Sequence, residues 1–153
     1  MKAEMLAKKL IQKGLTLAIA ESCTGGQLSS AMVHYPGISE VLLESVVTYS
    51  NESKQKRLGV KAETLAKYGA VSKETALEMA QGVAAYLNAD VALSTTGIAG
   101  PTGGTEEKPV GLVYIALWTQ GQVHCRRFVF EGNREEVRTA AVVSALDLAL
   151  EYV

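Results

Sequence analysis

The sequence predicts a single α/β domain, a three-layer α/β/α sandwich built around a mixed, mostly parallel sheet. Two short apolar runs, at residues 15–20 and 91–96, have the continuous hydrophobicity of strands that are buried on both faces. Segments with helical spacing of apolar residues alternate with the predicted strands. A strand–turn–strand pattern over 112–130 adds an antiparallel pair. Strands that alternate with helices in this way are typical of α/β folds.

Each element follows from its local pattern of apolar and turn-forming residues. The predicted helices cover residues 2–13, about 26–34, a short segment after 50, 62–68, 72–88 and a last segment from 133. The predicted strands cover residues 15–20, 45–50, 91–96, 112–118 and 123–130. Gly14 is suited to end the first helix. Ser72 and Asn133 are suited to cap the helices that follow them, as is either Ser50 or Asn51.

Length and composition fit one domain over residues 1–153. Apolar residues make up 48% and charged residues 20%, which excludes an intrinsically disordered chain. With 15 basic and 16 acidic residues the formal net charge is −1, so nucleic acid is not an expected partner. The two cysteines are too few for a disulfide framework or a four-ligand zinc site.

Neither a signal peptide nor a membrane-spanning segment is expected. The first 14 residues are charged and amphipathic. No apolar run approaches the roughly 18 residues that a membrane span requires. We therefore expect a cytoplasmic protein without a membrane partner, and a homodimer as the commonest kind of assembly.

Two glycine-rich loops follow the predicted buried strands. The first is ESCTGG at residues 21–26, where backbone amides and hydroxyls at a helix N-terminus could cradle an anion. The second is TTGIAGPTGG at residues 95–104, where glycines allow close approach to a ligand. Ligands of open α/β sheets bind outside the carboxyl ends of the strands, so a phosphate or nucleotide site is predicted there. The alternative is that both loops are tight turns. The loop residues predicted to bind substrate are Thr24, Gly25, Gly26, Gly97, Gly100 and Gly103.

The first loop contains two candidate nucleophiles, Ser22 and Cys23. A serine at such a turn is often only a helix cap, and a reactive cysteine needs a cationic activator. The two histidines, His34 and His124, have neither triad nor metal-ligand spacing. A lysine is then the remaining base for a serine.

The lysine candidate is Lys54, which follows Tyr49 by five residues and lies near Lys56 and Arg57. The alternative is that this cluster is a solvated helix face. To act as a base near neutral pH, a lysine must have its pKa lowered from about 10.4 by burial or by cationic neighbours.

Arg134 and Arg138 lie one turn apart on the predicted last helix. Together they could hold a phosphate, or they could pair with Glu131 and Glu135 at the surface.

The stretches AESCTGG, VVTYSNESKQKRLGV, YGAVS, TTGIAGPTGGTEEKPVG and FEGNREEVR resemble the C-terminal domain of the CinA family of competence/damage-inducible proteins. Stand-alone members of this family are nicotinamide-nucleotide amidohydrolases. The resemblance implies an α/β/α sandwich without the additional N-terminal domain of longer relatives. It also implies hydrolysis of the carboxamide of nicotinamide mononucleotide to nicotinate mononucleotide and ammonia, at a serine-centred site with no metal and no cofactor.

The resemblance assigns roles to individual residues. Ser22 matches the proposed nucleophile, and Lys54 matches the proposed base with Tyr49 beside it. Thr96 matches the hydroxyl position before GIAGP and is expected to act in catalysis by stabilising the oxyanion together with backbone amides of the loops. Arg134 is a candidate for the substrate phosphate. The alternative function is a catalytically silent nucleotide-binding or partner-binding module linked to competence or DNA damage.

Overall fold

Five strands form one mixed sheet in the computed structural model, which describes residues Met1–Val153. In chain order they are β1 Leu17–Glu21, β2 Leu42–Val47, β3 Val91–Gly97, β4 Leu112–Thr119 and β5 Gln122–Val129. Across the sheet the order is β2-β1-β3-β4-β5. β1 pairs in parallel with β2 and β3, and β4 is antiparallel to both β3 and β5. Only β4 therefore opposes the common strand direction, and the predicted fold class is confirmed.

Six α-helices cover the two faces of the sheet. They are α1 Lys2–Lys13, α2 Gln27–Val33, α3 Asn51–Leu58, α4 Ala62–Tyr68, α5 Lys73–Tyr86 and α6 Arg134–Tyr152, with a short 3-10 turn at Ile38–Glu40. Residues of α1, α2 and α6 share one hydrophobic core, and residues of α3, α4 and α5 share the other. The result is the predicted three-layer sandwich. None of the helices combines the length and the apolar character needed to cross a lipid bilayer.

The capping residues that the sequence predicts lie at the ends of their helices in the structure. Gly14 adopts a left-handed conformation with φ 65° after α1. The Ser72 hydroxyl accepts the N–H of Thr75 at the start of α5. Asn133 and Glu136 form a capping box at the start of α6, in which each side chain accepts the other residue's backbone N–H.

The second strand is displaced from its predicted position. It covers residues 42–47 instead of 45–50, because the apolar pair Leu42 and Leu43 also joins the sheet. The chain leaves the strand before Thr48 and enters α3, where the Ser50 hydroxyl caps the helix by accepting the N–H of Ser53 at 3.0 Å. Tyr49 therefore lies in the connection to α3, beyond the end of the strand.

Helices α3 and α5 approach each other closely at one glycine. An ideal Cβ on Gly82 of α5 would lie 1.9 Å from the carbonyl oxygen of Leu58, at the end of α3. Backbone cannot move aside as a flexible side chain can, so only glycine fits here without separating the two helices.

We expect Gly82→Ala to destabilise the protein by about 1–3 kcal/mol, because the added methyl group would force the two helices apart. Helix propensity alone predicts the opposite sign, a gain of about 1 kcal/mol. Urea denaturation of the variant measures the difference. Gln81→Ala, at the exposed neighbouring position, is the matched control and should change stability little. An equal or higher stability of Gly82→Ala would show that the close approach is not a constraint.

Candidate active site

The carboxyl ends of the three parallel strands meet at one edge of the sheet. β1 ends at Glu21, β2 at Val47 and β3 at Gly97. The residues just beyond Glu21 and Val47 begin the Ser22 loop and the connection to α3. This is the edge at which ligands of open α/β sheets bind, and it is where the predicted site residues converge.

Ser22 and Lys54 are in contact. The Nζ of Lys54 lies 3.0 Å from the Oγ of Ser22, although 32 residues separate them in the chain. The same Nζ donates to the backbone carbonyls of Thr48 at 2.8 Å and Tyr49 at 2.9 Å. Lys54 is 1% exposed and Ser22 is 8% exposed. The structure therefore excludes the alternative that Lys54 belongs to a solvated helix face.

The three oxygens around Lys54 match the needs of a base. A charged ammonium has three hydrogens, and it can donate one to each of these oxygens. A neutral amine has two hydrogens and one lone pair. Since carbonyls can only accept, the two hydrogens stay on Thr48 and Tyr49, and the lone pair is left facing the Ser22 hydroxyl. The same geometry thus serves both protonation states of the amine.

The electrostatic surroundings favour the serine over the cysteine as a nucleophile. Desolvation by burial lowers the pKa of Lys54 to about 8, so about a tenth of the amine is neutral at pH 7. Burial raises the pKa of the Cys23 thiol to about 12. The thiol therefore stays protonated near neutral pH, and it lacks the thiolate that a cysteine nucleophile requires.

Tyr49 and Arg134 lie at the exposed rim of this site. The Tyr49 ring is largely in solvent, and its hydroxyl accepts from Nη2 of Arg134 at 3.3 Å. Nη1 of Arg134 donates to the carbonyl of Gly100 in the second loop at 2.9 Å. Arg134 therefore connects the β2–α3 connection to the β3–β4 loop, and it does not pair with Glu131 or Glu135.

Arg138 is held by the first loop itself. Its Nε donates to the carbonyl of Cys23 and its Nη2 to the carbonyl of Thr24, both at 3.0 Å. Beside it an open, polar cavity of about 640 Å³ borders the loop. The cavity is lined by Gly25, Gly26, Gln27, Ser30, Arg134, Glu135 and Arg138. Neither Ser22 nor Lys54 lines this cavity, which adjoins the pair without containing it.

A buried carboxylate that the sequence reasoning missed occupies the start of α2. Glu21 is fully buried, and its two oxygens accept the backbone N–H groups of Leu28 and Ser29, both at 2.9 Å. The Thr24 hydroxyl joins it, 2.6 Å from Glu21 and 2.7 Å from the hydroxyl of Thr95. The predicted anion cradle at this helix start is thus filled by the protein's own carboxylate. The available signal was a glutamate at the end of a fully apolar strand.

Thr96 is buried beside the site, and its hydroxyl is already engaged. It donates to the carbonyl of Ala70 at 2.8 Å, which joins the end of β3 to the loop before α5. A hydroxyl has a single hydrogen, so in this arrangement Thr96 has none to give to a reacting oxygen. Its predicted catalytic role stays a prediction.

Two glycines of the second loop are required by packing within the chain. An ideal Cβ at Gly97 would lie 2.6 Å from the carbonyl oxygen of Leu112, and one at Gly100 would lie 2.4 Å from the Cγ1 of Val110. Gly103 has no such close neighbour, and its φ is +91°. The predicted binding roles of all three remain untested. No three His, Cys, Asp or Glu side chains cluster closely enough to hold a metal ion.

We expect the stability difference between wild type and Lys54→Met to depend on pH. The folded pKa of about 8 lies below the unfolded value of about 10.4, so the amine destabilises the fold fully below pH 8 and not at all well above pH 10. Wild type should therefore gain roughly 2–3 kcal/mol relative to the variant between pH 8 and 10.5. Urea denaturation across this range measures the gain.

Lys56→Met is the matched control, because this neighbouring lysine is exposed on the same helix. Its stability difference from wild type should stay nearly constant over the range. A flat difference for Lys54→Met as well would show that the buried amine keeps an ordinary pKa.

Known proteins resemble this chain along its length. A family model for the CinA C-terminal domain matches residues 1–153. Proteins named competence-damage inducible protein from Clostridioides difficile (strain 630) and Clostridium beijerinckii are 55% and 57% identical over 144 and 145 residues, which is 94% and 95% of this chain. These matches cover 34% and 35% of the relatives, so the chain spans about a third of the length of the curated relatives it matches.

Solved structures share the fold closely. The crystal structure of the competence damage-inducible protein A (ComA) from Klebsiella pneumoniae matches with a TM-score of 0.95 at 39% identity, over 99% of this chain and 94% of that chain. The CinA superfamily protein from Escherichia coli matches with a TM-score of 0.96 at 36% identity, over 99% of this chain and 88% of that chain. Because the family model matches residues 1–153 and these relatives and solved structures resemble the chain closely, the chain belongs to the CinA C-terminal domain family.

Proposed function

We propose that this chain is a nicotinamide-nucleotide amidohydrolase, which hydrolyses the carboxamide of nicotinamide mononucleotide to nicotinate mononucleotide and ammonia. The observation that supports it is the buried contact of 3.0 Å between the Lys54 amine and the Ser22 hydroxyl. A base within hydrogen-bond distance of a hydroxyl, with its pKa lowered towards neutrality, is the arrangement that serine nucleophiles require.

The first half of the reaction forms an ester on Ser22. Neutral Lys54 takes the proton of the hydroxyl as Oγ attacks the carboxamide carbon, and the C=O electron pair moves onto the oxygen. When the tetrahedral intermediate collapses, the C–N bond breaks. Lys54 returns the proton to the departing nitrogen, and ammonia leaves. The electron-withdrawing pyridinium ring makes this amide more reactive than an ordinary one.

The second half releases the product. Neutral Lys54 accepts a proton from water as the water oxygen attacks the ester carbon. The bond between that carbon and Ser22 Oγ then breaks, and Lys54 returns the proton to the serine. Nicotinate mononucleotide leaves as the carboxylate, while the second proton of the water goes to solvent. The base is thus restored without a net change in the enzyme.

The rim of the site offers a place for the substrate phosphate. Arg134 is bound only to two neutral acceptors, the Gly100 carbonyl and the Tyr49 hydroxyl. A phosphate offers an arginine stronger, charge-assisted hydrogen bonds than neutral oxygens do. We therefore assign Arg134 to the phosphate, with Tyr49 beside it.

We expect purified protein to release ammonia from nicotinamide mononucleotide in the presence of EDTA. Ser22→Ala and Lys54→Met should each lower kcat by at least about 1,000-fold, because each removes one member of a nucleophile–base pair. Cys23→Ala is the matched control, next to the nucleophile, and should keep most of the activity. An assay for ammonia with thermal melting of each variant measures these effects.

Loss of turnover in Cys23→Ala alone, with a stable fold, would reassign the nucleophile to the cysteine. Absence of turnover in wild type would favour the silent binding module. A rise in melting temperature with added mononucleotide would then identify the nucleotide as its ligand.

We expect kcat and kcat/KM to rise with pH and to have different midpoints. The kcat/KM profile reports the free enzyme and should have a midpoint near pH 8, where Lys54 loses its proton. The cationic pyridinium ring of the bound substrate disfavours a second positive charge, so the kcat midpoint should lie lower. Steady-state kinetics from pH 6 to 10 at constant ionic strength measure both. Equal or reversed midpoints would contradict the effect of the ring charge.

A further inference from the structure

The turn that contains Ser22 has two backbone donors without partners. The N–H of Gly25 donates to the carbonyl of Ser22 at 3.1 Å and closes the turn. Within it, the N–H groups of Cys23 and Thr24 donate no hydrogen bond to another residue of the protein. Thr24 is fully buried, whereas Cys23 keeps 6% of its surface exposed. The Cys23 N–H, directly after the nucleophile, is therefore the better placed donor for a group bound at Ser22.

Arg138 is connected to that donor through two peptide groups. Its Nη2 donates to the carbonyl of Thr24 at 3.0 Å. The same peptide group contains the Gly25 N–H, which points the opposite way because the peptide is trans. That N–H donates to the carbonyl of Ser22, and the Ser22 peptide group contains the Cys23 N–H. The guanidinium thus lies at the start of a hydrogen-bonded chain that ends at the free donor.

This series of hydrogen bonds both orients and polarises the Cys23 N–H. A planar guanidinium with two donors on consecutive carbonyls fixes the planes of the Cys23–Thr24 and Thr24–Gly25 peptide groups, and the second of these holds the Ser22–Cys23 peptide group through the Gly25 N–H. A positive charge at one end of a chain of hydrogen bonds strengthens each bond along it. An ideal Cβ on Gly25 would also lie 3.2 Å from Nη2 of Arg138, at a φ of +56°, so a larger residue would crowd this contact and strain the backbone.

We propose that Arg138 is a positioning residue that directs the Cys23 N–H at the oxyanion formed during attack by Ser22. The inference rests on the proposed function, because it requires Ser22 to be a nucleophile. It replaces the predicted phosphate contact of Arg138, whose Nε and Nη2 are bound to the loop. Of the two arginines on this face of α6, only Arg134 is then left for the phosphate.

A short-chain alkyl fluorophosphonate tests this without depending on the natural substrate. The Oγ of Ser22 attacks phosphorus, its proton passes to Lys54, and fluoride leaves as the P–O bond forms. In the transition state, the phosphoryl oxygen gains negative charge in the place of the amide oxygen. We expect Arg138→Met to lower the rate constant for labelling of Ser22, followed by intact mass, by at least about tenfold. Arg138→Lys keeps the charge without the planar fork and should be intermediate.

Two controls separate positioning from general damage. The labelling rate of Arg138→Met should keep its pH midpoint near 8, because the Ser22–Lys54 contact does not involve Arg138. A collapsed loop would shift this midpoint. Arg126→Met removes an equal charge from a surface ion pair with Glu151, away from the site, and should label at the wild-type rate.

Turnover separates positioning from phosphate binding. On nicotinamide mononucleotide and on nicotinamide riboside, which has no phosphate, Arg138→Met should lower kcat by the same factor with little change in KM. Labelling at the wild-type rate, or a defect confined to KM for the nucleotide, would overturn the proposal.

Turnover by wild type, taken together with labelling of wild type and Arg138→Met, distinguishes the two proposals from each other. Labelling that depends on Arg138, without turnover of the mononucleotide, would refute the proposed substrate and support the positioning role. Turnover with labelling that is unaffected in Arg138→Met would do the reverse. A wild type that neither turns over nor labels would refute both.

Discussion

The burial of one lysine amine is the constraint on which the site depends. An isolated ammonium in a protein interior is strongly unfavourable, and it is tolerated only where acceptors surround it. Here the acceptors are two carbonyls at the end of β2 and one hydroxyl at the end of β1. All three become available together only because β2 lies beside β1 in the sheet. The helix of Lys54, α3, ends against α5, where a Cβ on Gly82 would meet the Leu58 carbonyl. Burial of the Lys54 amine at this position lowers its pKa.

The loop that contains Ser22 is fixed from two sides by groups of opposite charge. On the buried side, the carboxylate of Glu21 accepts the first N–H groups of α2 and contacts the Thr24 hydroxyl. On the other side, the guanidinium of Arg138 donates to the carbonyls of Cys23 and Thr24. The carbonyls of Cys23 and Thr24 therefore face the cation, and the N–H groups of Leu28 and Ser29 face the anion. Such preorganised dipoles are the usual source of transition-state stabilisation, since they need no reorganisation as charge develops.

The sequence was sufficient to predict most helices and strands, but it predicted few of the side-chain contacts in the site. Apolar periodicity and caps such as Ser72 and Asn133 are local signals, so the helices and central strands follow from them. The predicted range of β2 began three residues too late, because an apolar pair such as Leu42 and Leu43 is compatible with a strand or with packing outside one. The contact of Ser22 with Lys54 depends on strand order, which no local pattern contains. The family resemblance assigned roles to both residues, but it could not show that Lys54 would be buried or which carbonyls it would bind. The sequence also did not reveal the role of Glu21, because its partners are N–H groups at a helix start that was expected to bind an anion from outside the protein.

The two arginines of α6 occupy similar positions in the sequence but make different contacts in the structure. They lie one turn apart on the same face, and the sequence offered a phosphate site or surface ion pairs for both. Arg138 contacts a tight turn in which the Thr24 carbonyl also accepts the Gln27 N–H, but the Cys23 carbonyl has no other donor, so removing Arg138 would leave the Cys23 carbonyl unsatisfied. Arg134 instead contacts the carbonyl of the buried Gly100 and the hydroxyl of the largely exposed Tyr49, and solvent can also satisfy the hydroxyl. If a phosphate binds here as proposed, Arg134 can exchange its neutral Tyr49 contact for it, whereas Arg138 would have to give up the Cys23 carbonyl. Under the proposed function, this difference separates binding from positioning within a single turn of helix.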